Sequence, residues 1–194
     1  GKIARATNTT SKFGIEYDSL ADLISFGLAP ALLMVLWALQ PMGRLGWLAG
    51  FLFMTCGALR LARFNTTTSS SLDHFEGLPI PSAAAMNVSV VLLFSKFGIN
   101  PELFRIILLV MMYFLSFCMV SSFRYNSFKK VSLFKSMKFN KLVGLILIFV
   151  AIASQPWILL FVGFFIYTLS GPILSLVYHP SPKDDNETQI DKGF

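Results

Sequence analysis

Residues 103–123 read LFRIILLVMMYFLSFCMVSSF, an apolar run in which Arg105 is the only charged residue. A helix needs about 20 apolar residues to cross the hydrocarbon of a bilayer, so this run is long enough for a membrane span. Outward from it the pattern repeats. Leu23–Leu39, Leu45–Leu61 and Ile80–Ser95 precede it, and Leu142–Ser154 and Trp157–Tyr178 follow, the last two separated by Gln155 and Pro156. Backbone polar groups in lipid must be paired within the segment, so each run is expected to be helical. The expected fold is all-α, a polytopic helical bundle with six spans in this chain. Leu142–Ser154 is short and spans only if Lys141 snorkels or its neighbour packs tightly.

Composition agrees. Of the 194 residues 55% are hydrophobic and 13% charged, and mean hydropathy is +0.66, too little charge to cover a soluble domain of this length. No polar stretch is large enough for a separate soluble domain. The chain is therefore divided into a membrane domain, residues 1–178, and a polar tail, residues 179–194.

The net charge is +6, but its placement speaks against nucleic acid as a partner. The basic residues lie between apolar runs, where they set topology and meet anionic lipid headgroups. With residues 1–21 on the cytoplasmic side, that side holds Lys2, Arg5, Lys12, Arg60, Arg63, Arg124, Lys129, Lys130, Lys135, Lys138, Lys141, Lys183 and Lys192. The far side holds Arg44, Lys96 and Arg105. Thirteen against three orients the chain with both ends inside. Residues 1–21, the 64–78 loop and the 124–141 loop then share the cytoplasmic face.

Three other residue types read as structural. Cys56 and Cys118 lie in apolar runs without metal-ligand spacing and are expected to be buried and reduced. His74 and His179 stand alone, as loop residues do. Trp37, Trp47 and Trp157 fall near span ends, where interfacial aromatics gather.

Chemistry points to Asp18 and Asp22. Besides Glu16 they are the only acids before Asp73, and Asp22 stands at the threshold of the first apolar run. A spacing of four places them on one helix face, where like charges repel unless a cation lies between them. Carboxylates at a helix start also suit the macrodipole. A pair at a membrane boundary favours function, and a divalent cation such as Mg²⁺ prefers such oxygens together with phosphate.

The surrounding sequence, GKIARATNTTSKFGIEYDSLADL over residues 1–23, resembles the signature of the CDP-alcohol phosphatidyltransferases, D-x2-D-G-x2-A-R-x8-G-x3-D-x3-D. Gly1, Ala4, Arg5, Gly14, Asp18 and Asp22 match with every spacing kept. The resemblance implies two further aspartates and two helices ahead of Gly1. Together with the polar start, which lacks Met and a signal peptide, this makes the chain the expected C-terminal part of a protein of about eight spans, inactive alone. It also implies that Asp18 is a metal ligand, that Asp22 is the general base and touches a metal, and that the cofactor is a pair of Mg²⁺ or Mn²⁺ ions. Gly1, Ala4 and Gly14 would line the CDP-diacylglycerol pocket, with Arg5 near it. For Gly14 a helix stop is the structural alternative.

Further blocks resemble the bacterial, membrane-integral branch of that family that uses serine, the phosphatidylserine synthases. They are FGIEYDSLADLISFGLAPA, GALRLARFN, FEGLPIPSAA and MVSSFRYNSFK. The expected reaction moves the phosphatidyl group from CDP-diacylglycerol to L-serine, releasing CMP at the cytoplasmic face of the bacterial inner membrane. Arg60, Arg63, Asn65 and Arg124 are candidates for binding phosphate or the serine carboxylate, against a purely topological role for the arginines. The GLPIP stretch would let the backbone pass close to a headgroup, or would simply start a helix. A homodimer is family-typical, and Gly46 and Gly50 form a small-xxx-small pair. Three alternatives stand beside this reading: a sister enzyme using glycerol 3-phosphate, a non-catalytic homologue, and a small transporter. The transporter would leave the aspartate spacing unexplained.

Overall fold

A computed structural model of the chain describes residues 11–66, 74–126, 144 and 155–177. Five helical stretches among them are long and apolar enough to cross a membrane: Phe13–Met42, Arg44–Thr66, Ile80–Phe97, Pro101–Val120 and Pro156–Ser175. They coincide with five of the six apolar runs. The sixth, Leu142–Ser154, lies outside the described residues apart from Gly144, as does the 179–194 tail.

The first span begins earlier than its apolar run. Helix α1 covers Lys12–Asp22. Ser11 is its N-cap, and the Ser11 Oγ accepts from the Gly14 N–H at 3.0 Å, which satisfies one of the donors a helix start leaves over. The helix then continues through a π segment (Leu23–Leu28), α2 (Ala29–Met34), a second π segment (Val35–Leu39) and a 3₁₀ turn (Gln40–Met42). Pro30 has a physical part in this irregularity. It has no N–H, and its ring collides with the carbonyl one turn back in regular α geometry. The ladder widens instead, so that the Ala29 N–H reaches the Ile24 carbonyl.

Gly43, at φ 59°, reverses the chain into α3 (Arg44–Thr66). This helix runs antiparallel against the first span along a stripe of small residues. A Cβ on Gly46 would lie 2.2 Å from the Leu39 carbonyl oxygen, and one on Gly50 would lie 2.6 Å from Val35 Cγ2. The Gly46–Gly50 pair is thus occupied within the chain, and the two spans approach more closely than side chains would permit.

Helix α4 (Ile80–Phe97) ends on Gly98 in the left-handed conformation, and the Ile99 N–H bonds back to the Phe94 carbonyl at 2.9 Å. That is the usual way a helix disposes of its last carbonyls. After a 3₁₀ turn (Pro101–Phe104), α5 (Arg105–Val120) packs on α3, and α6 (Pro156–Val177) packs on α4. Phe53, Met34, Leu39, Met112 and Leu115 are wholly buried where these helices meet. Cys56 and Cys118 are buried and not joined in a disulfide.

The bundle carries one feature that an all-α expectation does not include. Strand β1 (His74–Glu76) pairs antiparallel with β2 (Arg124–Asn126), with Phe75 opposite Tyr125. The two loops, expected from the sequence to share one side of the membrane, are joined as a short ribbon. Gly77 continues the ribbon, its N–H bonded to the Phe123 carbonyl at 2.9 Å, and the Leu78 N–H reaches the Cys118 carbonyl at 3.0 Å.

Candidate functional site

Both signature aspartates that fall among the described residues lie on α1. Asp18 is exposed and Asp22 is half-buried. Four residues separate them, so they stand one above the other on one face. Asp22 is also the last residue before the first π segment, an interruption found often at functional sites.

Helix α3 brings its C-terminal end to this face. The Asn65 Nδ2 donates to the Ser19 Oγ at 2.9 Å, on the turn that separates the aspartates. The Ser19 hydroxyl in turn donates to the Ile15 carbonyl at 3.2 Å. Arg60 and Arg63 precede Asn65 on α3, which runs past both arginines to Thr66. Arg60 extends the buried stripe of Phe53, Cys56 and Gly57, and is itself half-buried. Its Nε is buried and has no hydrogen-bond partner among the described residues. Tyr167 of α6 lies near it. Arg63, about 60° round the helix from Arg60, is exposed.

The antiparallel register puts Arg60 near the depth of Asp22. Gly57 and Gly27 both meet Ile80, and Asn65 meets Ser19, so the residues between these contacts face each other. A cation with an unused donor and two carboxylates therefore share one end of the bundle. Such a set can hold an anionic group through the guanidinium and a hard cation through the carboxylates. Among the described residues no group of three or more His, Cys, Asp and Glu side chains converges. Asp18 and Asp22 could supply two oxygen donors of a divalent ion, and a diphosphate carries further oxygens of the same hard type.

Gly14 is not a helix stop. It is the third residue of α1, and its N–H takes the Ser11 cap. The glycine of GLPIP, Gly77, passes close to the end of α5. At φ 77°, a Cβ on it would lie 2.5 Å from the Met119 carbonyl oxygen and 3.1 Å from that of Ser121. It lets the ribbon lie against the end of α5.

Arg124 sits in β2 opposite Glu76, on the ribbon and not on α3. Gly1, Ala4 and Arg5 lie outside the described residues. Two residues that sequence reading passed over belong to this region. Ser19 lies between the aspartates in D-S-L-A-D, where its hydroxyl is a signal of sorts. Tyr167 sits in an apolar run, and its phenol is a polar handle in such surroundings.

The family model described as CDP-alcohol phosphatidyltransferase matches residues 1–120. A CDP-diacylglycerol–serine O-phosphatidyltransferase from Helicobacter pylori is 46% identical over 154 residues, covering 78% of this chain and 62% of the relative. Proteins of the same description from Bacillus subtilis and Methanocaldococcus jannaschii are 38% and 40% identical over 130 and 111 residues. Those matches cover 67% and 57% of this chain, and 68% and 52% of the relatives. The chain thus spans about three fifths of the length of the Helicobacter relative.

Proposed function

The chain belongs to the CDP-alcohol phosphatidyltransferase family, and on that premise we propose that it transfers the phosphatidyl group of CDP-diacylglycerol to L-serine, giving phosphatidylserine and CMP. The observation that carries this reading is the docking of α3 on α1 through Asn65 and Ser19. It sets Arg60 and the Asp18–Asp22 pair at one end of a membrane bundle, where a lipid can keep its acyl chains in hydrocarbon and present its diphosphate to the site. The names of the relatives favour serine as the acceptor.

In this reading Asp22 takes the proton of the serine hydroxyl as its oxygen attacks the phosphorus that carries diacylglycerol. A new P–O bond to serine forms, and the bond from that phosphorus to the oxygen of CMP breaks. Asp18 and Asp22 would hold Mg²⁺ or Mn²⁺, whose chemistry when bound is to neutralise charge on the diphosphate. Arg60 supplies a planar donor array for phosphate or for the serine carboxylate, and Arg63, Asn65 and Arg124 are further candidates for that contact. Gly1, Ala4, Arg5 and Gly14 belong to the nucleotide side of the site by their match to the signature. The site faces the cytoplasm by the placement of basic residues, in a bacterial inner membrane. A homodimer is part of this reading, through a surface other than Gly46 and Gly50.

The test uses the full-length protein in mixed micelles with CDP-diacylglycerol, with radiolabelled serine and radiolabelled glycerol 3-phosphate in parallel. Label entering lipid from serine, with CMP released only when Mg²⁺ or Mn²⁺ is present, is the expected result. Label entering from glycerol 3-phosphate instead would assign the chain to a sister activity. No CMP release with either acceptor would leave a non-catalytic homologue.

A further inference from the structure

Within GLPIP, Ile80 is the first residue of α4, and the chain holds it from both sides. Pro79 and Pro81 flank it with fixed φ, and the branch at its own Cβ restricts χ1. Just before it, the Leu78 N–H is bonded to the Cys118 carbonyl of α5 at 3.0 Å. Ile80 is 1% exposed. So placed, it fills the seam between the first span and α3. A Cβ on Gly57 would lie 2.6 Å from Ile80 Cδ1, and one on Gly27 would lie 3.7 Å from the same atom. Two helices lack side chains where one methyl group enters from a third.

This seam lies beneath the aspartate–arginine site. Gly27 and Gly57 each stand eight residues from the Ser19–Asn65 bond, one on the first span and one on α3, and eight residues are about 12 Å of α-helix. Asp22 and Arg60 fall within that interval. The site therefore has a polar rim, Ser19 with Asn65, and an apolar floor, Ile80 with Leu23. Leu23 follows Asp22, and its Cδ1 would lie 3.9 Å from the same Cβ on Gly57. Arg60, whose buried Nε has no hydrogen-bond partner among the described residues, lies one turn of α3 above that floor.

The inference takes the proposed transfer to serine as its premise, so two molecules must meet at Asp22. Gly14, on the nucleotide side by its match to the signature, lies two turns from Asp22 toward the exposed start of α1. The inner end, with Arg60 and the floor, is left for the acceptor. A carboxylate on the guanidinium and a hydroxyl at Asp22 fix the two ends of that molecule. Its length is then limited by how far it can sink toward Ile80. We propose that Ile80 is a specificity-determining residue: its Cδ1, seated against Gly27 and Gly57, closes the inner end of the site and confines the reaction to an amino-acid alcohol as short as serine.

The test lets differently labelled L-serine and L-homoserine compete in one reaction with the full-length protein, CDP-diacylglycerol and Mg²⁺ or Mn²⁺ in mixed micelles. Homoserine is one methylene longer, and its hydroxyl oxygen would form the same P–O bond with CMP leaving. The ratio of the two labelled lipids is a ratio of kcat/KM values and does not depend on how much of a variant folds. Ile80→Val removes one methylene, a mild change in a core, and should raise the homoserine-to-serine ratio about tenfold, as one methylene in an apolar pocket does. Adding Gly57→Ala to that variant should bring the ratio back toward wild type. The new Cβ would take the place of Cδ1, which valine lacks, and would lie 3.4 Å from the position of Ile80 Cγ1. A ratio unchanged in Ile80→Val would overturn the inference while leaving transfer to serine intact, as would a rise that Gly57→Ala does not reverse. Wild-type protein that passes neither label to lipid would overturn the underlying reaction, and the inference with it.

Discussion

Asn65 and Ser19 are bonded across 2.9 Å, amide to hydroxyl, and this contact ties the end of one membrane helix to the turn between two aspartates on another. Forty-six residues separate the partners in sequence. The bond lies outside the apolar core, at the rim of the bundle, where α1 emerges from it and has few other contacts to hold its orientation.

Breaking that bond should affect activity more than stability. Ser19→Ala and Asn65→Ala are each expected to lower kcat/KM for phosphatidyl transfer by roughly fivefold, corresponding to about 1 kcal/mol for one hydrogen bond. The double variant should be little worse than either single one. Steady-state kinetics on the full-length protein measure this, and fully additive losses would show that the residues act separately.

Asp22→Asn keeps the shape of the side chain and removes its basicity and its charge. Loss of general-base catalysis is typically a factor of about 10² to 10⁴, so transfer to serine should fall at least a hundredfold. The thermal unfolding midpoint should be unchanged or slightly raised, since the variant relieves repulsion from Asp18. Near-normal turnover would remove Asp22 from the role of base.

Gly77→Ala should destabilise the protein by about 2 kcal/mol or more, because a Cβ there combines left-handed strain with a collision against backbone. Gly98→Ala has the strain alone, at φ 63° with nothing within 4 Å of the added carbon, and should cost about 1 kcal/mol. Unfolding midpoints of the two variants, compared side by side, check the ranking. If Gly98→Ala proved the more harmful, the packing of the ribbon on α5 would not be what Gly77 serves.

Gly46→Leu separates the two uses of a small-residue pair. The added side chain would meet the Leu39 carbonyl, so the variant should lose folded protein outright, as size-exclusion chromatography of detergent extracts would show. A folded variant that had merely lost self-association would instead place Gly46 at a surface between copies.

Some of this was legible in the residues themselves. The run from Leu103 to Phe123 shows a membrane span because apolar length is counted along the chain, and the lipid asks for little more than length. Asp18 and Asp22 announce a shared helix face because a spacing of four is a property of the helix alone. The start of α1 was obscured because Lys12–Asp22 is polar enough to pass for a loop, while a Ser11 cap and continuation into the apolar run make it helical.

By itself, then, the sequence determined that the chain folds as membrane helices and that two carboxylates share one helix face. Only the tertiary structure decided what each of several ambiguous residues faces. Gly46 meets Leu39, Gly77 meets Met119 and Asn65 meets Ser19. The reason is physical. Hydropathy and helical period are summed over neighbours in the chain, whereas the partner of a glycine or of an amide is chosen by helices remote in sequence, once packing has brought them together.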